Sequence, residues 1–244
     1  MDSSIIRSIA AILILAAVHP LCAVVSRRHV RQRVISFCAG VALAYVFLHL
    51  LPELGQMQQE LLEHLGEERP NPWFREHLYV LSFIGLLGFQ LVDTLSRKRD
   101  STGTPLFSDR VEMAFFALYA ALIGYLIMEN AELDRPILLI TIALAAHLFG
   151  TDLDLAERYD RPFVKRESYV FAAATIVGMI VAMVSQVNDA GIMIGYAVLA
   201  GALLINTLRT ELPEPAKVRN LYVLFGAAGY SALMLFIYSV SRAV

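Results

Sequence analysis

The sequence predicts an all-α polytopic membrane protein: eight transmembrane helices, with both termini on the extracytoplasmic side. Three observations carry this reading. The 244 residues are 57% hydrophobic and only 17% charged, with a mean hydropathy of +0.60, whereas soluble domains average about 25% charged residues. The apolar residues gather into eight runs, each the roughly 20 residues that a helix needs to cross a hydrocarbon core about 30 Å thick. Finally, basic residues crowd every second connection.

Taken in order, the spans are expected near residues 5–25, 34–54, 77–96, 111–130, 136–156, 168–187, 191–210 and 220–241. They are continuously apolar and rich in Ala, Leu and Gly, without the alternation that a transmembrane β-barrel would need. The first span is expected to be retained, because Met1-Asp-Ser-Ser4 lacks a basic cluster and no small-x-small cleavage site precedes Arg27. Cys22 fits a lipoprotein-type acylation site poorly. His19-Pro20 predicts a kink in this span.

One set of connections holds Arg27, Arg28, Arg31, Arg33, Arg97, Lys98, Arg99 and Arg110. It continues with Arg158, Arg161, Lys165, Arg166, Arg209, Lys217 and Arg219. The other set, with both termini, holds only Arg7, Arg69, Arg75, Arg135 and Arg242. Fifteen basic residues against five place the first set in the cytoplasm. A missed span would scramble the alternation after it, and it is unbroken.

Within this single membrane domain (1–244), residues 55–76 form the longest outer connection, polar and acidic. Helical apolar spacing over 57–65 predicts a short interfacial helix there. Trp73 and Phe74 then sit at headgroup level. Residues 97–110 carry Gly and Pro and read as a cytoplasmic loop. Cys22 and Cys38 lie near the same side of the membrane and read as small core residues or free thiols. A net charge of −2 and the absence of a basic, aromatic-interleaved patch set nucleic-acid binding aside. No internal repeat stands out.

Ionisable groups inside a span cost about 2.5–3.5 kcal/mol each on insertion scales, so they must be paired, face a cavity or reach the interface. His49 and Glu53, four apart at the outer end of the second span, share a helix face. They suit a cation-attracting vestibule, or more plainly an interfacial acid and a packing histidine. His147 falls midway through the fifth span, with Thr151 on its face and Asp152 one position round. Imidazole and carboxylate suit a divalent metal such as Zn²⁺, and equally a proton relay; the plainer reading is a core histidine satisfied by a neighbouring helix. Glu129 and Asn130 close the fourth span outside, while Asp109 and Glu112 open it inside. Asp93 is expected to reach Arg97, one turn on. Asn206 is expected within the membrane, bonding a partner helix.

Ser36-Phe-Cys-Ala-Gly40-Val-Ala-Leu-Ala44, running into His49-Leu-Leu-Pro-Glu53, resembles the second helix of the ZIP (Zrt/Irt-like) divalent-metal transporters. Thr210-Glu-Leu-Pro-Glu214 is similar to the close of that family's seventh helix. The eight-span layout with both termini outside is also the family's. The resemblance implies a mid-membrane metal site, built from a His-Asn-x-x-acid-Gly motif on helix four and a His-Glu-x-x-His-Glu motif on helix five. Here His147 keeps the first helix-five position and Asp152 the last acid, while Leu148 and Thr151 replace ligands. Helix four keeps only Glu129, one position late, and the sixth span offers no ligand. The family's binuclear centre is therefore not expected. A weaker, water-rich site at His147 and Asp152, with oxygen from Thr151, Asn206 or Glu129, is.

The resemblance thus implies a transporter of a divalent cation (zinc, iron or manganese) in the cell membrane. The cation would be gathered at His49, Glu53 and the acidic 55–76 segment, and would pass His147, Thr151 and Asp152. The metal is a substrate, no cofactor is implied, and no nucleophile–base pair suggests an enzyme. The partners expected are the lipid bilayer and the cation, with a homodimer left open. The rival reading is a ZIP-fold protein that has lost metal transport and serves as a partner or scaffold subunit, or carries another solute. Haem binding by His19, His49 or His147 has no further cue.

Overall fold

Continuous apolar runs in lipid must satisfy every backbone polar group internally, and the α-helix does this within one segment. The computed structural model describes residues 3–22, 28–64, 77–96, 107–129, 137–158, 161–185, 189–211 and 219–241. All regular structure among them is helical. The elements are α1 (Ser3–Leu21), α2 (Arg28–Tyr45), α3 (Leu51–His64), α4 (His77–Ser96), α5 (Phe107–Glu129), α6 (Ile137–Arg158), α7 (Arg161–Val184), α8 (Asp189–Asn206) and α9 (Asn220–Ser241). A π-helical turn at Val46–Leu50 joins α2 to α3, and a second, Thr207–Glu211, extends α8. Eight helical segments are long and apolar enough to cross a membrane, α2 and α3 counting as one. The eight expected spans all coincide with them.

Three details depart from the sequence reading. The helix expected to stand alone within 55–76 is instead the continuation of the second span. The π turn makes this possible: Leu51 N–H donates to Val46 O, five residues back. The helix thereby shifts register just before Pro52, whose missing N–H would otherwise break it. Gln58 fixes the far end, its Oε1 accepting the Leu78 N–H at 2.8 Å at the start of α4. Pro20 lies in the last turn of α1, so that helix ends there without a mid-span kink. The helix α5 begins at Phe107, shortening the expected 97–110 loop; Trp73, Phe74 and residues 97–106 lie outside the described residues.

Close packing is organised by glycines. A Cβ built on Gly40 would meet Val223 O at 2.0 Å, and one on Gly226 would meet Phe37 O at 2.1 Å, so α2 and α9 touch backbone to backbone. The same reciprocal arrangement joins α4 to α8 through Gly85 and Gly201, and α5 to α7 through Gly124 and Gly178. Small residues permit such contact in lipid, where dispersion and backbone contacts replace a hydrophobic driving force.

Directions follow from paired contacts. Ser36 meets Arg219 near the beginnings of α2 and α9, and His49 meets Tyr238 near the far end, so the two run parallel. Helices α4 and α8 are parallel too, with Gly85 beside Val198 and Asp93 beside Arg209. Helix α1 runs antiparallel to α7, because His19 faces Phe171 while Cys22 faces Ser168. These directions are those of a chain that reverses at every connection.

Leu51-Pro52-Glu53 follows the first π turn, and Leu212-Pro213-Glu214, outside the described residues, follows the second. Each π turn also belongs to a glycine-paired helix. The two π turns thus stand in like sequence settings, each directly before a Leu-Pro-Glu stretch. Lipid is the natural cover for the outward apolar residues, such as Phe83, Ile84 and Leu87 on α4 and Leu224, Phe225 and Phe236 on α9.

Candidate functional site

The helix α6 lies against α1, α2, α7 and the second π turn, and its polar residues point two ways. His147 and Asp152 are five apart, well round the helix from each other at about 100° per residue. Their partners differ accordingly. His147 and Thr151 face α5 and α8, whereas Asp152 faces α1.

On the first side, His147 is 1% exposed. Its Nε2 lies 3.1 Å from the Tyr119 hydroxyl and 3.2 Å from Asn206 Nδ2, and its Nδ1 lies 3.3 Å from Thr207 Oγ1. Asn206 Nδ2 also donates to Thr151 Oγ1 at 3.0 Å. An amide nitrogen only donates, so this network assigns the lone pair of the ring to Nε2 and its proton to Nδ1, toward Thr207. Thr207 is available there because it opens the second π turn, where the helix leaves regular α geometry. Such turns recur at functional sites.

On the second side, Asp152 Oδ2 lies 2.8 Å from His19 Nδ1, both side chains being nearly fully buried. Phe171 of α7 covers the imidazole edge-on. His19 Nε2 is buried and bonds no group among the described residues. The two sides of α6 thus hold separate groups: a carboxylate–imidazole pair toward α1, and an imidazole among hydroxyl and amide groups toward α5 and α8. Among the described residues, no three His, Cys, Asp or Glu side chains come close enough together to hold a metal ion.

Protein-family models and curated proteins offer no match to this chain.

The other candidate residues lie elsewhere. Glu129 is ten residues beyond Tyr119 on α5, about 15 Å along the axis, in a group with Tyr125 and Ser185. It is therefore remote from His147. His49 sits in the first π turn between Glu53 (3.4 Å) and the Tyr238 hydroxyl (3.2 Å), stacked on Tyr45. The pairing of His49 with Glu53 follows from their spacing, and the role of Tyr238 does not. Asp93 bonds across to Arg209, at 3.1 Å, and Arg209 also donates to Gln90. Arg97, its expected partner, lies outside the described residues. Cys22 and Cys38 are buried and form no disulfide among the described residues.

Sequence reasoning placed His147, Thr151 and Asn206 together, found nothing to support a ligand role for His19, and did not connect Tyr119 or Thr207 with the site. For His19 a signal existed: it is an ionisable residue within an apolar run, which in lipid demands a partner. Tyr119 and Thr207 carry no such mark.

Proposed function

We propose that the chain is a ZIP-like transporter that carries a divalent metal cation (zinc, iron or manganese) across the cell membrane, with both termini extracytoplasmic. One observation carries the reading: Asp152 held at 2.8 Å by His19, out of water, within a membrane span. Burying a carboxylate costs several kcal/mol, and apolar side chains would fill the space more cheaply. Retaining these groups in a span is the mark of a substrate path. The carboxylate supplies charge, and a neutral His19 that donates through Nδ1 keeps a lone pair at Nε2. Water would complete a loose coordination shell, as a cargo site requires. The two π turns, each interrupting a membrane-spanning helix, suit alternating access by rocking one group of helices against another.

A second reading is a ZIP-fold protein without metal transport, acting as a scaffold or carrying another solute. It is favoured by His147 itself, whose two nitrogens are both engaged by neutral side chains.

Uptake of radioactive zinc, manganese or iron into proteoliposomes separates the two. Under the first reading, Asp152→Ala and His19→Ala each lower uptake about tenfold or more, the cost of one lost charge-assisted contact. No uptake above empty vesicles for any of the three metals overturns it in favour of the second.

A further inference from the structure

We propose that the groove between the amino-terminal halves of α5 and α7 binds an anionic phospholipid of the cytoplasmic leaflet. This inference is independent of the transport reading. A cavity of about 350 Å³ opens there, within the range of specific small-molecule sites. Arg110 and Arg166 stand at its mouth, and Met113, Ala114, Ala117 and Val170 form its walls. Positions 110, 113, 114 and 117 lie on one face of α5. From Arg110 to Ala117 the groove runs about 10 Å along the helix axis. It is charged at the rim and apolar below, the profile of a headgroup above its acyl chains.

Both arginines are exposed, and the wall residue Val170 is 42% exposed, so the groove opens outward from the bundle. Glu167, almost buried, pairs with Arg166 at 2.9 Å and steadies that guanidinium over the groove. It offsets one charge, and the two arginines leave the rim net positive. A guanidinium fork matches phosphate oxygens in pairs. The amino-terminal end of α5, within a turn of Arg110, adds its dipole at the same rim. The groove lies beside the basic connections that the arginine count assigns to the cytoplasm, where anionic lipids create a negative surface potential. A soluble anion would match the rim but not the apolar walls, so the occupant is an amphiphile.

The test uses the full chain purified in neutral detergent, with lipid retention read by native mass spectrometry and melting followed by intrinsic fluorescence. The probes are phosphatidylglycerol, phosphatidylcholine and inorganic phosphate. Phosphatidylglycerol is expected to be retained about tenfold over phosphatidylcholine, given the attraction each surface arginine supplies. Arg110→Gln combined with Arg166→Gln should abolish that preference. Ala117→Phe should lower retention by filling the groove without changing charge. Each variant is normalised to its own melting in phosphatidylcholine, which separates lost binding from lost folding. Equal retention of the two lipids, equal stabilisation by inorganic phosphate, or a preference that survives both variants overturns the proposal.

Discussion

The most direct test of the architecture compares glycines one turn apart on the same helix. On α4, a Cβ added at Gly85 would lie 2.2 Å from Val198 O, whereas one added at Gly88 meets nothing within 4 Å. On α9, Gly226 would place its Cβ 2.1 Å from Phe37 O, and Gly229 again meets nothing. Real Cβ atoms do not approach closer than 3.0 Å, so Gly85→Ala and Gly226→Ala must push their helix pairs apart by about 0.8 Å or more. The obstacle is backbone, which cannot rotate away as a side chain could. Overpacking of this kind costs about 1–3 kcal/mol, equivalent to a fall of roughly 4–8 °C for a 2 kcal/mol loss in a chain of this size. Gly88→Ala and Gly229→Ala should be neutral or slightly stabilising, since alanine is the better helix former. Thermal melting of the four purified variants in one detergent measures the contrast. Equal melting temperatures within each pair would mean that these helices do not pack as described.

The buried pair of His19 and Asp152 gives a second contrast. His19→Ala or Asp152→Ala leaves one partner stranded and should cost about 3–5 kcal/mol, while the combined His19→Leu, Asp152→Leu variant should recover most of that loss; a double-mutant melting cycle without coupling would refute the pairing. Arg209→Gln should destabilise wild-type protein but act weakly once Asp93→Asn is present, because the two share one contact at 3.1 Å. Buried Cys22 and Cys38 should react with a bulky maleimide only after denaturation, and fast labelling of the folded protein would place them elsewhere.

Much of the fold was legible because lipid leaves the chain few choices. Apolar length set the eight helices, and Gly and Pro marked their ends to within a few residues. What escaped depended on registers that no local pattern encodes. Residues 57–65 look like a surface helix by periodicity, and nothing in them reveals that the preceding π turn carries the second span straight through Pro52. Asp93 has Arg97 one turn away in sequence, yet tertiary contact gives it Arg209, more than a hundred residues on. The site was half legible for the same reason. His147, Thr151 and Asn206 lie in spans where polarity is conspicuous. Tyr119 is one tyrosine among ten, and only its hydroxyl's contact with His147 singles it out. The parity of the spans was readable, and the parallel glycine-paired helices obey it.

The first π turn also makes the chain between Tyr45 and Pro52 a stretch of adjustable length. It fits one residue more into a single turn than an unbroken α-helix would. Excising one position there would let the wide turn close to ordinary α spacing and leave α3 in nearly its present phase. Gln58 would still reach the Leu78 amide that it caps. The same excision a few residues later, between Glu53 and Met57, has no extra residue to draw on and would turn the helix beyond it by about 100°, carrying Gln58 away. Two neighbouring stretches of one helix thus differ in what they can lose.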